Sequence, residues 1–325
     1  MHTANTKLRR RGVFGVAHAP ALVFAVLVVL VASAGLTLWL RLWWSSAPAP
    51  HVAFGDAHAH AHSHLLATPL RYNASALTPD DRRHQRALLR VVAQQVDAAS
   101  AGAGTDGAGG TGVTFLGSPH ASAARLAVQA VLRLRVLGCV LPAEFAHPAH
   151  ELVAASAAAL LAAHNVTVRP FALPPSATGD SGLRLGAAKP AAVLSSPFRS
   201  VLFLDPDILM LRDPTPLLHS PLFAKTGALF WPDYRPVSPD RKVWAVMRFL
   251  HADVSREWDS GLLLVDKSRP LVRAALEIAQ FLCANNDFYF RLFWGDKEAF
   301  HWAFRLVAKE LWYANLRVER RKMYS

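Results

Sequence analysis

A short apolar run in the middle of the chain ends in two carboxylates. Residues 201–204 are Val-Leu-Phe-Leu, and Asp205-Pro206-Asp207 follow directly. A continuous apolar run of this length is typical of a strand that is buried on both faces in the sheet of an α/β domain. Ligands bind at the carboxyl ends of such strands. The motif therefore predicts an α/β fold with a functional site where this strand ends.

Apolar runs alternate with helical patterns on both sides of this motif. Further strands are predicted at 113–116, 139–141, 166–168, 227–230 and 261–265. Helices are predicted at 80–98, 121–137, 151–164, 189–196, 271–284 and 297–311. Alternation of this kind predicts a largely parallel sheet with helices packed on its faces.

The two carboxylates of the motif suit a metal ion. Pro206 biases Asp205 toward an extended backbone, and residues two apart on an extended backbone point the same way. Carboxylate oxygens are ligands for Mn²⁺ or Mg²⁺, which would also hold the phosphates of a substrate. The alternative is an acidic turn without a ligand.

Several blocks around Asp205 stand in the order in which a known family carries them. They are Leu134-Arg135, Gly138-Cys139, Leu141-Pro142-Ala143-Glu144, Phe203 to Asp207, Arg212-Asp213-Pro214, Thr226 to Asp233, Asp259-Ser260-Gly261, Val265-Asp266-Lys267 and Gly295-Asp296-Lys297-Glu298-Ala299-Phe300. In these blocks, over residues 115–304, the chain resembles the α-mannosyltransferase family typified by fungal Golgi α-1,3-mannosyltransferases. The resemblance implies a Rossmann-like glycosyltransferase-A fold, GDP-mannose as donor, a glycan acceptor, Mn²⁺ dependence and transfer with retention of the α configuration.

The resemblance and the chemistry of a diphosphate leaving group together give a set of candidate site residues. These are Asp205 and Asp207 for the metal, Asp259, Asp296 and Glu298 for catalysis, and Lys189, Lys297, Ser260 and Gly261 for binding the donor. A lysine would stabilise charge that develops on the phosphates. Ordinary surface charge is the alternative for either lysine, and a helix N-cap is the alternative for Asp296.

The chain departs from the family in two places. Asp259 stands where the family usually has a glutamate. The family also continues past the last block into a further strand and a segment containing His and Asn, whereas this chain ends at Ser325. We therefore expect a catalytic domain over residues 112–325, with two alternatives: either the sequence is incomplete, or the C-terminal part of the site is lost.

The N-terminal region carries a candidate membrane anchor. Ala19 to Leu40 holds 22 residues without a charge, enough for a helix to cross a bilayer core of about 30 Å. Basic residues precede it, which places residues 1–18 in the cytosol and the body on the far side. A cleaved signal peptide is the alternative, but its apolar region should be shorter. We expect a type II Golgi protein with a signal anchor at 19–40 and a lumenal stem at 41–111.

Charge and cysteine content fit this topology. The net charge of +12 would suggest nucleic acid for a cytosolic protein, but a lumenal body does not meet nucleic acid. Its basic surface either suits anionic substrates such as nucleotide diphosphates or is simply a solvated face. Cys139 and Cys283 could pair or stay as buried thiols. Asn73 and Asn165 begin glycosylation sequons.

The sequence thus favours a mannosyltransferase that uses GDP-mannose. Two alternatives stay open: a UDP-sugar enzyme similar to glycogenin or to galactosyltransferases, and a catalytically inactive, membrane-anchored binding protein.

Overall fold

The structure is a computed structural model, and it describes residues 51–52, 68–69, 76–102, 109–174, 181–249, 251–252 and 256–308. The cytosolic tail and membrane anchor expected over residues 1–40 lie outside these ranges, as does the sequon at Asn73. Among the described residues, no helix has the length and apolar composition that a membrane span requires.

Strands and helices alternate along most of the described chain. The strands are β1 (His51–Val52), β2 (Thr68–Pro69), β3 (Thr111–Leu116), β4 (Ala143–Pro148), β5 (Val166–Phe171), β6 (Ser200–Leu204), β7 (Ala228–Pro236), β8 (His251–Ala252) and β9 (Arg256–Asp266). The helices are α1 (Pro79–Ser100), α2 (Ala121–Val136), α3 (Ala155–Ala163), α4 (Ser181–Ser195), α5 (Thr215–Leu218), α6 (Pro221–Thr226), α7 (Val243–Val246), α8 (Pro270–Ala284), α9 (Asn286–Tyr289) and α10 (295–308).

Seven strands form one mixed sheet in the order β1-β7-β9-β6-β3-β4-β5. β3 pairs in parallel with β4 and β6, and β4 pairs in parallel with β5. β9 runs antiparallel to both β6 and β7, and β1 is antiparallel to β7. The expected α/β class is therefore confirmed as a mixed α/β sheet. The largely parallel sheet is corrected to a parallel half and an antiparallel half, because apolar runs do not encode strand direction.

The sheet separates two apolar cores. Along β6, Val201 and Phe203 face one core, while Leu202 and Leu204 face the other. Side chains of successive strand residues point to opposite faces, so a strand buried on both sides must be apolar throughout. This explains the continuous run that precedes Asp205.

The helix expected within the stem belongs to the folded body. α1 begins at Thr78, whose hydroxyl accepts from the Asp81 amide at 3.2 Å while the Asp81 carboxylate accepts from the Thr78 amide at 2.8 Å. Leu88, Val92 and Val96 recur on one face and lie in the same core as α8. Residues 79–100 are thus part of the body rather than of a linker.

The strand predicted at residues 139–141 is wrong, since β4 begins at Ala143. Two of its buried side chains are polar, which hides the apolar pattern: Glu144 accepts from the Thr114 hydroxyl at 2.8 Å and pairs with Arg169 at 2.6 Å. Cys139 and Cys283 lie in the two different cores, so both are free, buried thiols.

Candidate active site

The end of β6 lies beside the middle of β9. Because the two strands are antiparallel, Leu204 pairs with Leu262, and the Asp205 amide donates to the Gly261 carbonyl at 2.8 Å. The chain then turns, with the Ile208 amide donating back to the Asp205 carbonyl at 2.9 Å. The strand direction thereby brings the Asp205 motif next to Ser260.

Four side chains from four elements form one polar cluster at this edge. The Lys189 ammonium, from α4, lies 2.8 Å from Asp205 Oδ2 and 2.9 Å from Asp296 Oδ2. It also donates to the Ser260 hydroxyl at 3.2 Å, and this hydroxyl donates to Asp296 Oδ2 at 2.8 Å. Asp296 stands in the first turn of α10. We call these four residues the Lys189 cluster.

The Lys189 cluster is shielded from water and carries more negative than positive charge. Burial lowers the pKa of Lys189, but the carboxylates of Asp296 and Asp205 outweigh burial and raise that pKa overall. Burial raises the pKa of Asp205, Lys189 offsets part of this, and the charges of Asp296 and Asp207 raise it further. One ammonium therefore contacts two carboxylates, while a third, that of Asp207, acts on Asp205, and a further cation is favoured here.

The three remaining site candidates of the Asp205 and Asp259 blocks, Asp207, Asp259 and Gly261, border the cluster. Asp207 is exposed and acts on Asp205 through its charge. A Cβ at Gly261 would lie 3.3 Å from Asp205 Oδ2 and 3.2 Å from Ile208 Cδ1, so this position suits glycine. Asp259 is half-buried and accepts from the Gly261 amide at 2.9 Å. Its carboxylate thus shapes the start of β9 at the site edge.

Lys297 and Glu298 point away from the Lys189 cluster, contrary to expectation. Lys297 pairs with Asp233 and, at 2.9 Å, with Glu257. Glu298 is completely buried and pairs with Arg241 at 2.9 Å. Successive residues of a helix are rotated by about 100° around its axis, so Asp296, Lys297 and Glu298 cannot all face one site.

Arg241 is a residue that sequence analysis missed. Its guanidinium bridges Glu257 at 3.1 Å and Glu298, and it donates to the Leu292 carbonyl at 2.8 Å. It ties the loop before α7 to the start of α10. Since Arg241 and Glu298 are 57 positions apart, local spacing offers no signal for this pair.

The residues present fit a hard divalent cation. Asp205 and Asp207 offer carboxylate oxygens at the edge of a negatively charged cluster, and Mg²⁺ is usually bound by one or two carboxylates together with substrate phosphates and water. Within the described part of the chain, no group of three His, Cys, Asp or Glu side chains is placed to hold a metal ion. The fit therefore depends on the two aspartates and on ligands that a substrate would supply.

A family comparison bears on the same region. Residues 110–256 match the family model described as "Mannosyltransferase putative". The matched segment runs from the start of β3 to the first residue of β9, and it contains Lys189, Asp205 and Asp207. The match confirms the resemblance to a mannosyltransferase family and supports a hexosyltransferase. No curated protein sequence matches the chain.

Solved glycosyltransferase structures show partial likeness. The galactosyltransferase LgtC, in complex with donor and acceptor sugar analogues, is 15% identical, with a TM-score of 0.41 over 59% of this chain and 70% of that one. The bifunctional glycosyltransferase WbbM is 13% identical, with a TM-score of 0.38 over 62% of this chain and 38% of that one. The mannosyltransferase Ktr4p from S. cerevisiae is 10% identical, with a TM-score of 0.35 over 74% of this chain and 79% of that one. These scores lie below the level at which a shared fold follows.

Proposed function

We propose that this hexosyltransferase transfers mannose from GDP-mannose to a glycan acceptor with retention of the α configuration. The observation that carries the proposal is that the segment matching a mannosyltransferase family supplies Lys189 and Asp205, on which the buried cluster is built. The donor, the stereochemistry and a glycosyltransferase-A fold are parts of the proposal.

The leaving group sets the main chemical task of the site. Transfer from a nucleoside diphosphate sugar leaves negative charge on the phosphates, and preorganised positive groups stabilise charge as it develops. Asp205 and Asp207 would hold Mn²⁺ or Mg²⁺. Such an ion, when bound, neutralises phosphate charge and orients the leaving group.

Lys189 is the second positive group in the proposed mechanism. Its ammonium is fixed by Asp205, Asp296 and Ser260 at distances of 2.8 to 3.2 Å, so little reorganisation is needed when phosphates approach. Exchange of one carboxylate contact for a phosphate oxygen would place the charge of Lys189 on the leaving group.

The sugar side of the site is assigned to the start of β9 and of α10. Asp259, Ser260 and Gly261 line the edge beside Asp205, and Asp296 comes from the facing helix. We propose that Asp296, which is held by Lys189 and Ser260, orients the transferred sugar. Asp259 is the other carboxylate on this side. Lys297 and Glu298 support α10 rather than contact the donor.

The cellular setting forms part of the proposal. The apolar run at 19–40 would anchor the chain as a single-pass type II protein of the Golgi membrane, with the body in the lumen. A lumenal body fits glycan acceptors on secretory proteins. The sequon at Asn165 lies in an exposed turn, where a glycan would be accommodated.

A donor screen tests the proposed function. The purified full chain is incubated with Mn²⁺, α-linked mannotriose and GDP-mannose, UDP-galactose or UDP-glucose, and products are followed by mass spectrometry and by NMR of the new anomeric centre. We expect an α-linked mannose from GDP-mannose, with no product from Asp207→Asn and full activity from the surface control Lys225→Met. Turnover of a UDP-sugar alone, or of no donor, would overturn the proposal.

A further inference from the structure

Trp294 presents an indole to solvent in the segment that leads into Asp296 of the Lys189 cluster. Its residue is 74% exposed and stands two positions before Asp296. Trp244, Trp258 and Trp302, by contrast, are buried in the core. An exposed aromatic face is a surface on which a sugar ring can stack.

The backbone beneath this indole is firmly held. The Trp294 amide donates to Glu298 Oε1 at 2.7 Å, and Gly295 turns the chain into α10 with a φ of +65°. The same carboxylate oxygen accepts from Arg241 at 3.0 Å, and Trp302 donates to the other oxygen at 3.3 Å. The backbone that bears the indole is thus held by the buried Glu298 carboxylate, which lowers the entropic cost of binding a ligand against this residue.

Arg241 also lines a cavity of about 500 Å³. Its lining residues come from the start of α1, the start of α7 and the turn after α9. They are Thr78, Asp80, Asp81, Arg241, Lys242, Phe288, Arg291 and Leu292. Since Arg241 and the Trp294 amide contact the same oxygen of Glu298, the backbone of Trp294 lies close to a residue that lines the cavity. A volume of this size accommodates a small ligand.

The charges of the cavity are largely paired within the protein. Asp81 pairs with Lys242 at 2.6 Å, Asp80 pairs with Arg83, and Arg241 pairs with two glutamates. A lining of paired charges offers many hydrogen-bonding groups with little net charge. This composition suits a neutral, hydroxyl-rich ligand better than a phosphate.

We propose that Trp294 and this cavity form an acceptor subsite for a neutral oligosaccharide. One sugar ring stacks on the Trp294 indole, and the next units of the glycan enter the cavity, where Arg291 and Thr78 contact their hydroxyls. The inference rests on the proposed function, since it places the acceptor beside the donor site. It assigns the substrate class as a glycan of at least two sugars rather than a monosaccharide.

Kinetics with acceptors of different length test this subsite. The full chain and the variants Trp294→Ala, Trp294→Phe and Arg291→Ala are assayed with GDP-mannose, Mn²⁺ and either α-linked mannotriose or methyl α-mannoside. We expect Trp294→Ala to raise the KM for mannotriose by about tenfold, and the Phe variant to restore most of the affinity. The KM for GDP-mannose and its slow hydrolysis without acceptor should stay unchanged. Leu152→Ala, at an exposed apolar position on another part of the chain, is the matched control.

Binding without turnover separates this inference from the proposed function. Saturation-transfer NMR detects mannotriose on the wild-type chain in the presence of GDP and Mn²⁺. A signal that Trp294→Ala abolishes supports the subsite even if no mannose is transferred. Wild-type transfer and binding by all three variants would overturn the subsite and leave the proposed function standing. A methyl α-mannoside KM equal to that of mannotriose would also overturn it.

Discussion

Replacement of Lys189 by methionine tests the electrostatic balance of the candidate active site most sharply. The side chain is only 10% exposed, and its ammonium lies between two carboxylates, at 2.8 Å from Asp205 and 2.9 Å from Asp296. Methionine has a similar length and fills the same space, so the main effect is the loss of the charge. Asp205, Asp207 and Asp296 then face one another without a cation.

The expected loss of stability follows from burial. Removal of one partner of a buried ion pair typically costs about 3–5 kcal/mol because the other charge stays buried and unpaired. The side chains of Asp205 and Asp296 keep 27% and 18% of their exposure, so water screens part of this penalty. We expect Lys189→Met to lower the free energy of unfolding at pH 7 by about 2–3 kcal/mol.

The difference in unfolding free energy between wild type and Lys189→Met should become smaller as the pH falls. Burial already raises the pKa of Asp205 above that of an unfolded chain, and removal of Lys189 raises it further. A carboxyl with a raised folded pKa stabilises the fold below that pKa and loses this contribution as the pH rises. The gap between wild type and variant therefore narrows as the pH falls from 7 toward about 4.

Urea denaturation at several pH values, with and without about 1 mM Mn²⁺, measures these effects. A divalent cation can replace the missing ammonium charge, so Mn²⁺ should raise the unfolding midpoint more in Lys189→Met than in wild type. Lys225→Met, at an exposed lysine in α6, is the control and should change little. A variant as stable as wild type, with no difference in its response to Mn²⁺, would refute the reasoning.

Three further predictions concern the surroundings of the cluster and the core. Glu298→Gln should destabilise the fold by about 2–3 kcal/mol, since Arg241 loses a buried carboxylate. The KM of this variant for GDP-mannose should stay unchanged. If the variant were as stable as wild type but had a lower kcat, Glu298 would have a catalytic role after all. Gly261→Ala should weaken binding of Mn²⁺ and GDP, as seen by calorimetry, because the new Cβ would press on Asp205 Oδ2; unchanged affinity would argue against this contact. Burial lowers the pKa of Lys267 to about 8, from 10.5 in an unfolded chain, so the unfolding free energy should rise between these pH values more steeply in wild type than in Lys267→Met. Equal slopes in denaturant titrations of the two proteins would contradict this prediction.

Much of the fold could be predicted because buried strands and the inner faces of helices have recognisable apolar patterns. Strands such as β6 are apolar on both faces, and Leu88, Val92 and Val96 mark the inner face of α1. β4 could not be found in this way, since Glu144 is buried within it as the partner of Arg169. Strand direction was equally hidden, because pairing partners lie far apart along the chain.

The candidate site was predictable to the same extent. The Asp205 motif could be recognised because it directly follows a predicted buried strand. Lys189, Ser260 and Asp296, which were also predicted, form the Lys189 cluster with Asp205. The orientation of Lys297 was not predictable, since only the placement of α10 decides which residue of its first turn faces the sheet edge. Arg241 was missed for the related reason that its partners come from remote segments.

The central claim is that the carboxylates at the end of β6 bind a nucleoside diphosphate together with a divalent cation. Isothermal titration calorimetry of GDP into the full chain tests it directly, with Mn²⁺ and with the metal removed by a chelator. We expect that GDP binds only with Mn²⁺, that UDP binds more weakly, and that Asp207→Asn abolishes binding while Lys225→Met does not. Absence of GDP binding, or GDP binding that neither chelation nor the Asp207 substitution affects, would contradict it.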